Sequence, residues 1–373
     1  MSSDRSAADR PQSIDDLAAA LRDADAAEAV VAIAGAGSKA SWGGAGPEPD
    51  RVVHTTGLRG VVEHARGDLV VTALAGTPLA EVQLALAPTR QWLPLDPPEP
   101  GATLGGIVAT AASGPHRFRY GTPRDLLIGV TVVLADGTVA RSGGKVVKNV
   151  AGYDLGRLFT GSYGTLGVVA SCTFKLQPVA PVQRVVSLSA DRPGEVASAL
   201  ARSTTTPVAA EWDGERVRVL VASSPAGADA MAAELAAALG GTVAEEVPSG
   251  FGARPWTRGD VALKLTHRLS ALDAVVDVVR AAAPAARLSA HVGSGVVWAG
   301  VPAGTVEAGQ LVATLRAETA AYDGSVVVVD APAEVKQHLD VWGPVRGLDV
   351  MRRIKERFDP AGRLNPGRFV GGI

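Results

Sequence analysis

The sequence predicts an α+β protein: a first half in which glycine-rich loops follow short strands, then a smaller α/β domain. Three observations lead there. The 373 residues exceed what one hydrophobic core usually serves. Strand candidates in the first half are short, β-branched and bounded by Gly, Pro or Asp, whereas from about Val182 strand and helix patterns alternate. A composition of 47% hydrophobic and 20% charged residues supplies apolar surface for sizeable cores.

In chain order, Ser13 with Asp16 three residues on, and Leu17 and Leu21 behind it, starts a capped helix over 13–22. VVAIAGAGS is a strand that ends in glycines, and RVVHTT, LVVTAL, GVTVVLADGTVA and GVVASCTFKLQP follow as further strands. The last of these holds Cys172, which reads as a buried, inert thiol. As the only cysteine, it excludes intrachain disulfides and the thiolate sets that hold iron-sulfur clusters. Beyond Val182 come VQRVVSLSA, a helix over 194–202, and the strands VAAEWDG and RVRVLVAS joined by a tight turn at Asp213 and Gly214. An amphipathic helix over 231–239 follows. This second domain extends over 182–335, with an antiparallel sheet backed by helices as its expected form. A tail over 336–373 holds a helix ending near Phe358 and then DPAGRLNPGRF.

Charge argues against nucleic acid. The 36 basic and 38 acidic residues give a net charge of −2 and form no basic stripe. The N-terminal stretch is charged and lacks the apolar core of a signal peptide, and no uncharged apolar run reaches the roughly 18 residues of a membrane span. The expected location is the cytoplasm.

Two loops carry the chemical signal. IAGAGSKASWGG (33–44) follows a strand, and GATLGGIVATAASG (101–114) follows the rigid DPPEP segment (96–100). Side chains of one methyl or less let backbone N–H groups approach a ligand closely and point several donors at one anion, so a nucleotide pyrophosphate is the natural occupant. Tight turns are the alternative. The G-x-G-x-x-G dinucleotide fingerprint does not apply, because Ala40 stands at its third glycine and no βαβ unit follows.

A third stretch, KVVKNVAGYDLGRLFTGSYGTLGVVASCTFKLQP (145–178), resembles the end of the FAD-binding domain of the vanillyl-alcohol oxidase and p-cresol methylhydroxylase superfamily. Its most specific part is GSYGTLGVV over 161–169. The first and second glycine loops resemble that family's two pyrophosphate loops in the same order, and Tyr120 and Gly121 stand where it has R-Y-G. Within the superfamily the chain is similar to the flavin-binding E subunits of bacterial glycolate oxidases, with FDPAGRLNPGRF among the shared features.

The resemblance implies an FAD-binding domain of PCMH type, built of two α+β subdomains, over 1–181. It also implies a cap domain over 182–335 and a C-terminal segment over 336–373 that returns to the flavin. Gly35, Ala36, Gly37, Ser38 and Lys39, with Gly43, would wrap the pyrophosphate. Pro98, Thr103, Gly105, Gly106, Ala109, Ser113 and Gly114 would line the other side, with Tyr120 and Gly121 following. Gly164, Gly167 and Val169 would meet the adenosine or ribityl portion, and Asn365 would return from the tail. Relatives that bond flavin covalently use a histidine where Ser38 stands, which implies non-covalent FAD. Lys145 and Lys148 fall near the flavin ring in the resembled subunits, where a cation would stabilise negative charge.

The cap departs from the family. AHVGSGVVW (290–298) resembles G-H-x-G-D-G-N-x-H, whose histidines help hold a metal and engage a 2-hydroxy acid. His291 is retained, but Ser294, Val296 and Trp298 replace the aspartate, asparagine and second histidine. One imidazole makes no metal site, and His291 reads first as a hydrogen-bonded structural residue. No metal and no catalytic residue is assigned, while His116 and Arg117 are better placed for an anion. The resemblance therefore implies a subunit that serves electron transfer or assembly beside a homologous catalytic flavoprotein and an iron-sulfur subunit. The alternative is a self-sufficient enzyme that holds a hydroxy acid through arginines.

Overall fold

The computed structural model describes residues 7–144 and 154–373. Lys145 and Lys148 lie outside the described residues.

The helix expected at Ser13 runs over Ile14–Ala26, with Ser13 and Asp16 forming a reciprocal capping box. Its apolar stripe, Leu17, Ala18, Leu21 and Ala24, is buried against Val31 and Val53. Those valines belong to a small parallel sheet in which Arg51–His54 lies between Ala7–Asp9 and Val31–Ala34. The first glycine loop leaves the C-terminal end of Val31–Ala34, so the sheet fixes where the loop begins.

A second sheet of five antiparallel strands has the order Val61–Ala65, Val70–Leu74, Val168–Lys175, Leu127–Val133 and Val139–Gly143. GVTVVLADGTVA is thus a hairpin rather than one strand, because Gly137 at φ +79 turns the chain and its amide closes on the Leu134 carbonyl. Cys172 is buried on the central strand, where burial pushes its thiol up to about 12. The helix Leu104–Thr110 packs here through Leu104, Ile107 and Val108.

The remaining large element is an eight-stranded antiparallel sheet. Its order is Thr242–Ala244, Val182–Ser189, Arg216–Ser223, Ala209–Trp212, Arg287–His291, Val296–Val301, Val261–Thr266 and Ser325–Asp330. Side chains on a strand alternate between faces. Ala210, Trp212, Leu263, Leu265, Ala290, Val297 and Ala299 face the helices Pro193–Arg202, Pro225–Leu239, Leu272–Ala282 and Ala308–Thr319. The alternate positions, Glu211, Lys264, His291, Val296 and Trp298, occupy the opposite face. There Val296 and Trp298 join a core with Trp42, Ala112 and Tyr163 of the first half. Among the described residues, no helix is long and apolar enough to cross a membrane.

The tail lies against Val31–Ala34, the strand of the parallel sheet that carries the first glycine loop. After the helix Leu348–Phe358, Leu364 pairs alongside Val31, with Val31 N–H donating to the Arg363 carbonyl and Asn365 N–H to the Val31 carbonyl.

Candidate functional site

The hydrogen-bond inventory of the first loop is compatible with anion binding. Gly35, Ala36, Gly37, Ser38 and Lys39 use none of their amides on a backbone carbonyl. Five successive N–H groups are therefore available to a ligand at the end of a sheet strand. The two glycines serve different ends. A Cβ on Gly35 would lie 2.5 Å from Thr103 Oγ1, so its bareness lets the first two loops touch. Gly37, at φ +77, holds a conformation that side chains rarely adopt and has open space beside it.

The second loop enters a helix at Thr103, and the third is latched onto that helix. Gly161 N–H donates to the Val108 carbonyl at 2.9 Å and Tyr163 N–H to the Ala109 carbonyl at 2.8 Å. Asn365 ties the third loop to the first strand. Its Oδ1 accepts Ile33 N–H at 3.0 Å and its Nδ2 donates to the Tyr163 carbonyl at 2.8 Å.

These contacts enclose a cavity of about 290 Å³. Of the residues implied by sequence, Gly35 to Lys39, Thr103, Gly105, Gly106 and Ala109 line it, and so do Gly164, Gly167, Val169 and Asn365. Gly43, Pro98, Ser113, Gly114, Tyr120 and Gly121 do not. Gly43 backs the first loop, where a Cβ would meet the Arg368 carbonyl at 2.6 Å. Gly114 N–H and His116 N–H both donate to Asp96, and His116 Nδ1 lies 2.7 Å from the same carboxylate. Tyr120 packs near Trp92 and His116. Asp96 thus fastens the loop on which His116 and Arg117 sit.

Sequence reasoning missed Tyr163, Thr55 and Arg368 in the lining. Arg368 donates to the carbonyls of Lys39, Ala40 and Trp42, holding the far side of the first loop. Its place in the NPGRF turn, two residues after a loop-facing proline, was the available signal.

A second cluster lies where the eight-stranded sheet meets the first half. Trp298 is buried opposite Lys264 in register, and Glu211 is opposite His291. The Arg254 guanidinium stacks 3.9 Å over the Trp298 ring and pairs with Glu99 at 3.2 Å. Lys39 Nζ stands 3.9 Å from the other Glu99 oxygen. Burial drives the charges here: it lowers the Lys264 ammonium to about 8 and the His291 imidazole to about 3, and it raises the Glu211 carboxyl to about 7. His291 is not hydrogen-bonded at Nδ1, contrary to the structural role read from sequence. Glu99 Oε2, Arg254 Nη1 and Trp298 Nε1 are likewise buried without a partner. Of these, Arg254 Nη1 and Trp298 Nε1 are unpaired donors that suit a small organic anion, whereas Glu99 Oε2 can only accept. Among the described residues, no group of three His, Cys, Asp or Glu side chains is placed to hold a metal.

Comparison with known proteins gives two family matches. A family model described as an FAD binding domain matches residues 6–143, and one for the C-terminal domain of FAD linked oxidases matches residues 336–369. The glycolate oxidase subunit GlcE of Escherichia coli is 43% identical over 148 residues, 39% of this chain and 42% of that protein. A D-lactate dehydrogenase of Archaeoglobus fulgidus is 37% identical over 172 residues, 45% of this chain and 38% of that one. The chain thus spans less than half the length of these two curated relatives. A solved alkyldihydroxyacetonephosphate synthase structure superposes with a TM-score of 0.71 at 15% identity, covering 97% of this chain and 77% of the other. That likeness speaks for the fold alone.

Proposed function

We propose that this chain is an FAD-dependent oxidoreductase of the FAD-linked oxidase type, the FAD-binding subunit of a 2-hydroxy-acid-oxidising complex of the glycolate oxidase kind. Bound FAD supplies the two-electron acceptor. The chain's part is to hold it: Gly35 to Lys39 and Gly106 address the pyrophosphate, while Gly164, Gly167, Val169 and Asn365 contact the remainder through main chain and amide. Ser38 offers no imidazole for a covalent flavin link, so the FAD is dissociable. The domains are the flavin domain over 1–181, the cap over 182–335 and the returning tail.

The observation that supports a subunit role is the mismatch between the two sites. The first loop has its free amides, whereas the hairpin around His291 presents Ser294, Val296 and a buried Trp298. A homologous catalytic flavoprotein and a cysteine-rich iron-sulfur subunit would complete the reaction. The location is cytoplasmic, with any membrane contact made through those partners. Purifying the tagged native protein under gentle conditions tests this. A yellow preparation with both partners identified by mass spectrometry is expected, and a monomer without partners would overturn it.

The Arg254 cluster favours a second reading, in which this chain itself holds the acid's carboxylate. Titrating the purified chain with glycolate or D-lactate while following tryptophan fluorescence separates the two, because Arg254 lies on the Trp298 ring. Saturable quenching that Arg254→Met abolishes, with turnover on an artificial acceptor, would favour self-sufficiency.

A further inference from the structure

The tail helix Leu348–Phe358 buries one lysine. Its Lys355 is only 8% exposed, and Nζ makes three contacts: the Thr165 carbonyl at 2.7 Å, Asp359 Oδ2 at 2.6 Å and the Leu364 carbonyl at 3.2 Å. Asp359 is satisfied in turn by the amides of Arg363 and Leu364. The two carbonyls sit next to neighbouring residues of the cavity lining, since a Cβ on Gly164 would lie 2.7 Å from Asn365 Nδ2. Thr165 follows Gly164, and Leu364 precedes Asn365. One ammonium therefore ties together two adjoining segments of the cavity wall, and Lys355 is not itself part of the lining.

We propose that Lys355 is a positioning residue for the flavin, cross-linking the third loop to the returning tail so that Gly164 and Asn365 stand ready before the cofactor arrives. This rests on the reading of the cavity as the FAD site. The geometry explains why an ion pair is spent here. An ammonium donates in three directions to converging acceptors, which no apolar side chain does. Both carbonyls are engaged by the lysine, and the Gly164 amide between Tyr163 and Thr165 stays free of backbone partners. Preorganisation of this kind raises affinity by lowering the ordering cost of binding.

The test uses the full chain stripped of flavin and measures FAD affinity by fluorescence titration, with thermal unfolding of the apoprotein in parallel. Lys355→Met combined with Asp359→Asn removes the amine without leaving a charge buried alone. The expected result is FAD binding weaker by about tenfold or more. Leu311→Ala, in the core of the eight-stranded sheet, serves as a control for lost stability. It is expected to lower the unfolding temperature yet keep FAD affinity within about twofold. Unchanged affinity in the double variant, or an equal loss in the control, overturns the positioning role. Should the double variant not fold, Lys355→Arg is measured by the same criteria, since a guanidinium cannot reproduce the three converging contacts. Gly106→Phe separates the two levels: FAD retained there refutes the cavity assignment, whereas FAD lost there but kept in the Lys355 variants refutes only this inference.

Discussion

At the residue scale, single atoms decide whether the cavity exists. Gly106 lines it, and a Cβ there would meet only Thr103 Oγ1, at 3.2 Å, so a larger side chain must extend into the space of the ligand. Gly106→Phe is expected to abolish FAD binding with little change in apoprotein stability, read as loss of the flavin visible bands. Gly67→Phe, with nothing within 4 Å of its Cβ, is the neutral comparison. Gly35→Leu should act differently. It forces Thr103 away and separates the loops, so both FAD binding and unfolding temperature should fall. Ser38 gives a further expectation: acid precipitation should leave all flavin in the supernatant, and flavin retained in the pellet would show a covalent link.

Strand alternation governs the element scale. It carries Glu211, Lys264, His291 and Trp298 to one face of the eight-stranded sheet, away from the helices, and burial there sets their titration. Glu211 ordinarily titrates near 4.5 and is raised to about 7, chiefly by burial and against the Gly252 amide that it accepts. Between those values the folded chain keeps a proton that the unfolded chain releases. Its contribution to stability is therefore full below about 4.5 and is lost as pH rises through 7. His291 slopes the other way. Lowered from 6.5 to about 3, it costs stability as pH falls below 6.5, because the unfolded chain takes up the proton first. Glu211→Gln should thus be more stable relative to wild type at pH 8 than at pH 4.5, by up to about 3 kcal/mol. Unfolding temperatures across that range check it, and parallel profiles would refute the buried-acid assignment.

At the scale of the whole molecule, three segments distant in sequence meet at one cavity. Arg254 and Glu99 then lock the cap sheet onto the flavin half beside it. Arg254→Met is expected to destabilise the chain, since it leaves the Glu99 carboxylate buried near Lys39 alone. Restoration by Glu99→Gln in the same chain would confirm that the unpaired charge is the cause. If the subunit reading holds, deleting this protein should abolish glycolate oxidation in cells that still contain the catalytic partner. Full cellular activity without it would count against a required subunit.

Much of this was legible in the sequence for a local reason. Glycine loops, the Ser13 capping box and strand alternation are short-range patterns, and the loops at 35–39 and 103–109 each carry their signal within a few consecutive residues. That His291 and Trp298 share a face follows from the pairing of Ser289 with Trp298 and His291 with Val296, which alternation within one strand does not reveal. Arg254, in a Gly-Pro loop, and Lys355, on a helix rich in arginine, gave no sign that they were buried. Their partners, Glu99 and the Thr165 carbonyl, lie more than a hundred residues away. The sequence determined where an anion could be held, because backbone amides freed by small residues are a property of the loop itself, while the cofactor class came from the resemblance of three ordered motifs. Which cations are buried, and which carbonyls they hold, was decided only by tertiary structure, because desolvation and pairing depend on segments that the chain brings together after the loops are made.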